Sequence, residues 1–284
     1  MKIREIVEEQ ELEIILDSGA YSAWSLGEVI NIEDYIKFIK KNEAYFDIII
    51  NLDVIPGEFG RVPSEKEVEA SAQKGYENLK YLEKNNIKAL PVFHQGEKLI
   101  WLERLINEGY DYIGISPAND RTTEQKIVWL DEVFVFICTE DGVPKIKTHS
   151  FGATALEILW RYPWWSADST TWTRAGRYGS VFVPSLIGGI PDYSCSPNVL
   201  CVSDEALKSS KGNRISRHYF SLSEEERAEV DRFFSVRGFT YESLKNSWKN
   251  RDKLNILFFL EVEKNLPKNR TFNRKKIIKS FFSA

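Results

Sequence analysis

From Ala167 to Gly179 the chain reads ADSTTWTRAGRYG, one acid in a run of small hydroxyl residues followed by two arginines set among glycines. Asp168 follows the bulky run Tyr162, Pro163, Trp164 and Trp165. That pattern suggests a buried strand delivering a carboxylate to its end, where partial desolvation makes it nucleophilic. Arg174 and Arg177, with Gly176 and Gly179 freeing the backbone, suit a phosphate or another anion held through forked donors. The same residues also fit an aspartate capping the next turn, with both arginines on a solvated loop. A second acid, Asp17, stands in LDSGAYSAWSL, where Gly19 permits a turn directly after a short apolar segment.

Both acids need strands to carry them. Short buried strands are expected over Glu13 to Leu16, Phe46 to Leu52, Ile87 to Phe93, Tyr110 to Ile115, Lys145 to Thr148 and Trp164 to Ala167. Ser180 to Pro184 offers a seventh and Val199 to Val202 an eighth. Between them lie helical patterns. Ile32, Tyr35, Ile36 and Ile39 recur at helical spacing, Ser64 with Glu67 forms a capping box for a helix to about Asn85, and others run from Lys98 to Asn107 and from Gly152 through Trp160. Glu124 to Thr139 is read as helix although Val133 to Ile137 has strand composition. Alternation on this scale implies parallel strands with right-handed crossovers, and an α/β fold of the (β/α)8 barrel type with a C-terminal helical appendage. An open doubly wound sheet is the alternative. Asp17, Asp53, His94 with Gln95, Ser116, His149 and Asp168 all fall where an expected strand ends, and in a barrel those ends share one rim.

Composition narrows what such a rim serves. At 284 residues the chain is long enough for one large α/β domain with an appendage, and 43% hydrophobic residues supply its core. Domains are expected over 1–203 and 204–284. A net charge of -4 argues against a whole surface that coats polyanions, so any nucleic-acid contact must be local. One local patch is the tail, where Lys264, Lys268, Arg270, Arg274, Lys275, Lys276 and Lys279 follow the last acid, Glu263. It reads either as an arm for a phosphate backbone or as a solvated terminus. Cys138, Cys195 and Cys201 make no even framework, and MKIREIVEEQ has no apolar segment, so a reducing cytoplasm is the simplest setting. No apolar run approaches membrane-spanning length.

LDSGAYSAWSL and DSTTWTRAGRYG together resemble the two signature segments of the tRNA-guanine transglycosylase superfamily. The second matches that family's DxxxxTRxGRxG spacing at Asp168, Thr173, Arg174, Gly176, Arg177 and Gly179. The first matches its DSGG(F/Y)Q element except that Ala20 replaces a glycine and Ser22 the glutamine. NLDVIP at Asp53, FHQGE at Gln95 and Gly96, YIGIS at Gly114 and HSFGAT at Gly152 fill the interval in the family's order. The resemblance implies a (β/α)8 barrel that swaps guanine in a nucleic acid for a 7-deazaguanine base through a covalent sugar intermediate. Asp168 would be the nucleophile, and Asp17 would manage protons on the leaving and entering bases. The base site would comprise Ser18, Tyr21, Asp53, His94, Gln95, Gly114 and His149, with Tyr21 and His149 against its faces. Arg174 and Arg177 would hold the backbone phosphates.

The family's tRNA enzymes carry a zinc site with a CxCxxC element and a later histidine. Here Cys195, Cys201 and His218 have the wrong spacing, so neither metal nor other cofactor is expected. With the FHQGE and YPWWSADSTTW elements, this makes the chain more similar to the DpdA-type transglycosylases of phages and bacteria, which act on DNA. DNA is therefore the expected partner, tRNA the alternative, and a free 7-deazaguanine base the co-substrate. Two further classes use the same residues: a hydrolase of an N-glycosidic bond employing both carboxylates, and a nucleic-acid-binding module relying on the basic tail.

Overall fold

The computed structural model describes residues 13–203 and 217–277. The acidic leader before Glu13 and Lys279 of the basic tail lie outside the described residues. The chain forms two compact units, one of Met1–Phe151, Trp164–Ser166 and Arg274–Ala284, the other of Gly152–Pro163 and Ala167–Asn273. The division differs from the expected boundary after Ser203. Residues 167–203 cluster with the C-terminal helices because buried side chains of those helices bind their backbone, as set out below.

In the first unit, β1 (Ile15–Leu16) pairs in parallel with β2 (Ile48–Ile50), and β2 with β3 (Ala89–Leu90). After Pro91, β4 (Val92–His94) pairs in parallel with β5 (Tyr112–Ser116), and β5 with β6 (Lys147–Ser150). The short strand β7 (Ser166–Ala167) follows β6 in the sheet order. Proline removes one donor and splits the expected third strand, but its carbonyl still accepts from Gly114 N at 2.8 Å. Strands therefore lie side by side in the order they occur in sequence. A doubly wound sheet would reverse that order at a switch point. The fold is α/β with parallel sheets.

Helices α1 (Ala20–Leu26), α2 (Ile32–Asn42), α3 (Glu65–Lys84), α4 (Leu99–Asn107) and α5 (Thr123–Ile137) connect these strands. The capping box of Ser64 and Glu67 starts α3, and Arg61 grips the Glu67 carboxylate through both guanidinium ends. A second box, Thr122 with Gln125, starts α5 and decides the ambiguous stretch in favour of helix. Its β-branched and aromatic residues are then buried: Ile127, Val133, Phe134 and Ile137 have no exposed surface, and Phe134 packs edge-on to Trp164 with centroids 4.9 Å apart.

The second unit begins with α6 (Leu156–Arg161) and α7 (Thr171–Arg177), followed by β8 (Ser180–Val183), the hairpin β9 (Ser185–Ile187) and β10 (Ile190–Asp192), and β11 (Asn198–Cys201). Strand β12 (Arg217–His218) and helices α8 (Glu224–Val236), α9 (Tyr241–Lys245) and α10 (Trp248–Asn265) complete it. Here the structure corrects the sequence expectation. The seventh and eighth barrel strands expected at 180–184 and 199–202 pair with each other antiparallel, Asn198 opposite Val183 and Cys201 opposite Ser180. Their connection contains a hairpin and no crossover helix, which a parallel neighbour normally needs. Hydrogen-bonded strands do not form a closed barrel among the described residues. The core of this unit gathers Val181, Val183, Leu200, Phe233, Phe234, Leu244 and Leu254.

The basic tail is likewise corrected in part. Arg270 donates to the carbonyls of Leu159 and Tyr162 at the end of α6, the latter at 2.9 Å. Within the first unit, Arg274 donates to Val135 O and Cys138 O, each at 2.9 Å, and to Thr139 O at 3.3 Å, where α5 ends. Both guanidinium groups satisfy carbonyls that a helix leaves unpaired. These two arginines brace the fold rather than forming a free arm. No described helix is long and apolar enough to cross a membrane.

Candidate functional site

The first unit assembles a chain of polar contacts from residues that the sequence spaces far apart. Gly19 adopts a left-handed backbone (φ 76°) between β1 and α1, which turns the chain as soon as Asp17 and Ser18 have left the strand. Ser18 Oγ donates to Asp53 Oδ1 at 3.0 Å and accepts from Ala20 N at 3.2 Å. Asp53 lies just beyond β2, and its other oxygen, Oδ2, lies 2.8 Å from His94 Nε2. His94 ends β4. Gly96 at φ 106° then reverses the chain, so Glu97 N donates to His94 O at 3.1 Å and the Glu97 carboxylate reaches His94 Nδ1 at 3.0 Å.

A neutral imidazole has one N–H, and only the imidazolium can donate to both carboxylates at once. Burial opposes that charge, since His94 is 7% exposed, but the hydrogen bonds with Asp53 and then Glu97 outweigh it and push the ring up to about 10. Ser18, Asp53, His94 and Glu97 thus form a linear relay with a positive centre. Burial also raises the Tyr35 phenol, with the fields of Asp17 and Asp53 adding to it. Tyr35 OH donates to Ile50 O at 2.7 Å.

Other expected residues of this unit have defined roles. Gln95 Oε1 accepts from Ala118 N at 3.0 Å, leaving its amide N–H groups to donate elsewhere. Gly114 is required by packing, because a Cβ there would stand 2.3 Å from the Phe151 ring and 3.1 Å from Leu90. His149, 2% exposed, contacts Ser166 Oγ at 2.6 Å through Nδ1, and that hydroxyl lies 2.6 Å from Tyr112 OH. Phe151 meets the His149 ring edge-on at 4.5 Å. Tyr21 is exposed and tilts against Trp24, itself fixed by a 2.6 Å bond to Gly57 O. Behind the relay sits a cavity of about 20 Å³, lined by Asn51, Ser71, Asp53, His94, Glu97 and Trp101 among others. Asn51 Oδ1 and Trp101 Nε1 are buried there without a protein partner, and the space suits one water.

The second unit holds the remaining expected residues, Asp168, Arg174 and Arg177. Asp168 is exposed, and its Oδ1 accepts from Gly152 N at 3.2 Å. Arg174 and Arg177 are exposed on α7. Gly176 between them is buried, and a Cβ there would lie 2.0 Å from Asp252 Oδ1 of α10. Arg251 Nε donates to Gly176 O at 2.7 Å, while Asn255 donates to Trp172 O at 3.0 Å and accepts from Phe182 N at 2.9 Å. Helix α10 therefore holds the backbone that displays the two arginines. Burial raises the Asp252 carboxyl, with Arg177 and Arg251 pulling it back. Cys201 and His218 face each other across β11 and β12, while Cys195 lies 3.2 Å from Ser185 Oγ. Among the described residues no three such side chains group as metal ligands.

Sequence reasoning missed Glu97, Arg251, Asp252 and Asn255. Glu97 had a signal, an acid three residues after a strand-end histidine with glycine between. The other three lie more than 70 positions from the backbone they support and had none.

Comparison with protein-family models, with curated proteins and with solved structures gives no match.

Proposed function

We propose that this chain is a base-exchanging transglycosylase that replaces guanine in DNA, in preference to tRNA, with a free 7-deazaguanine base. The observation that carries the proposal is the Ser18–Asp53–His94–Glu97 relay at the ends of neighbouring parallel strands. Each Asp53 oxygen spends one lone pair inside the relay and keeps another. Such a carboxylate suits the paired N1–H and 2-amino donors of a guanine edge, and the free amide of Gln95 suits the 6-oxo group. The parallel strands of the first unit, in sequence order, support a (β/α)8-type barrel as the parent architecture, from which the antiparallel strands of the second unit depart.

In the reaction Asp168 attacks C1′ of the target nucleotide as the C1′–N9 bond breaks, and the departing guanine takes a proton delivered through Asp17. The incoming base then loses its N9 proton to Asp17 and displaces Asp168 from C1′. Arg174 and Arg177, solvent-facing on a braced helix, hold the flanking phosphates. The reaction belongs in a reducing cytoplasm.

A DNA duplex incubated with the protein and labelled 7-deazaguanine base should acquire label, and Asp168→Asn should acquire none. Full exchange by Asp168→Asn overturns the mechanism. Abasic sites in place of label would make the enzyme a hydrolase.

A further inference from the structure

The relay holds a residue that the exchange reaction does not touch. Among the described residues, Glu97 and Asp53 are the acids that shape the His94 ring's charge; Glu97 reaches the ring from the turn after β4, whereas Asp53 reaches it from the segment after β2. Asp17 and Asp53 both act electrostatically on Tyr35 of α2. With Ser18 Oγ on one oxygen and His94 on the other, the Asp53 carboxylate cannot rotate without breaking both bonds. If the ring lost a proton, one nitrogen would turn its lone pair toward a carboxylate.

We infer that Glu97 and His94 are positioning residues that lock the Asp53 carboxylate in one orientation, and thereby set the preference of the base pocket for purines with an N1–H beside a 2-amino group. The inference deepens the proposed function and rests on Asp53 reading the base. Neither Glu97 nor His94 contacts the reacting atoms. Their effect falls on base affinity and discrimination rather than on the chemical step.

The test compares wild type, Glu97→Gln, Glu97→Asp and His94→Gln as full chains. Guanine and hypoxanthine, which lacks the 2-amino group, serve as probes in calorimetric binding and in exchange kinetics. Glu97→Gln should weaken guanine binding about tenfold, the worth of one charge-assisted hydrogen bond, and narrow the preference over hypoxanthine. Its kcat should stay within about threefold of wild type, and Glu97→Asp should recover part of the affinity. His94→Gln should lose the preference as well, and it replaces Glu97→Gln if that variant does not fold. By nuclear magnetic resonance the wild-type His94 ring should remain doubly protonated at about pH 8, where an ordinary histidine is neutral.

Unchanged guanine affinity and discrimination in both Glu97→Gln and His94→Gln overturn the inference, and so does a wild type that binds neither base. A wild type that binds guanine without exchanging it overturns the transglycosylase reading alone, and loss of that binding in Glu97→Gln still supports the positioning role.

Discussion

Gly176→Ala separates two accounts of a glycine that sits between the candidate phosphate-binding arginines. Alanine is intrinsically the better helix residue by about 1 kcal/mol, so a glycine kept only for a backbone ligand would yield a more stable free protein on replacement. The structure gives the opposite sign. The new Cβ would stand 2.0 Å from Asp252 Oδ1, 3.1 Å from its Cγ and 3.3 Å from its backbone nitrogen, and α10 is anchored to the same segment by Arg251 and Asn255. Asp252 is short and 8% exposed, so it cannot swing clear into solvent. Overpacking of this kind costs about 1–3 kcal/mol, and with the helix-propensity gain set against its upper end the net loss is about 2 kcal/mol. Thermal unfolding should then shift down by about 4–8 °C. In an Asp252→Ala background the carboxylate is gone and only the backbone nitrogen at 3.3 Å remains, so the same substitution should be neutral or stabilising by up to about 1 kcal/mol, a coupling of about 2–3 kcal/mol. Urea unfolding of the four proteins in this cycle measures it. Stabilisation by Gly176→Ala alone, or an equal cost in both backgrounds, would refute the packing account.

The His94 ring, ordinarily near 6.5, is pushed up to about 10 in the folded chain, so its stabilising contribution is complete below about pH 6.5 and drains away as pH rises toward 10. Melting temperature should fall over that interval more steeply in wild type than in His94→Gln, and parallel curves would deny the relay its charge. Arg274→Ala removes three hydrogen bonds from the end of α5 and should cost about 1–3 kcal/mol in denaturant titrations, with the salt dependence of DNA binding unchanged. Arg174→Ala and Arg177→Ala should do the reverse, leaving stability within about 0.5 kcal/mol and each lowering the slope of log affinity against log salt by about one.

Much of the first unit was legible because its signals are local. The Ser64–Glu67 box, the helical spacing from Ile32 to Ile39 and the acids placed at strand ends depend on neighbours within a few positions, and all reappear in the structure. Glycines blurred the short helices instead: α1 and α7 each arise in a stretch that reads as a loop, and tertiary contacts pull α7 into shape. The pairing of β8 with β11 was illegible for a different reason. Strand composition reports burial and says nothing of direction, which here follows from a hairpin where a crossover helix was expected. The tail misled because positive charge has two uses, and Arg270 and Arg274 are turned inward onto helix carbonyls.

A motif recognised by spacing merges constraints that the structure takes apart. In TRAGRYG the arginines face solvent while the glycine between them is fixed by a buried aspartate far away in sequence, so the two residue types would be retained for unrelated reasons. The same division runs through HQGE. Gln95 stands outside the relay with its Oε1 accepting from Ala118 N, Glu97 is spent on His94 and His94 on Asp53, and Gly96 turns the chain so that Glu97 reaches the ring nitrogen. Substitutions within one motif should therefore fall into separate groups. Those at Gln95, Arg174 and Arg177 should act on ligand affinity at constant stability, and those at Gly96 and Gly176 on stability first. If Gly96→Ala, strained at φ 106° for any side chain, left melting temperature untouched while abolishing base binding, that partition would fail where it is most exposed.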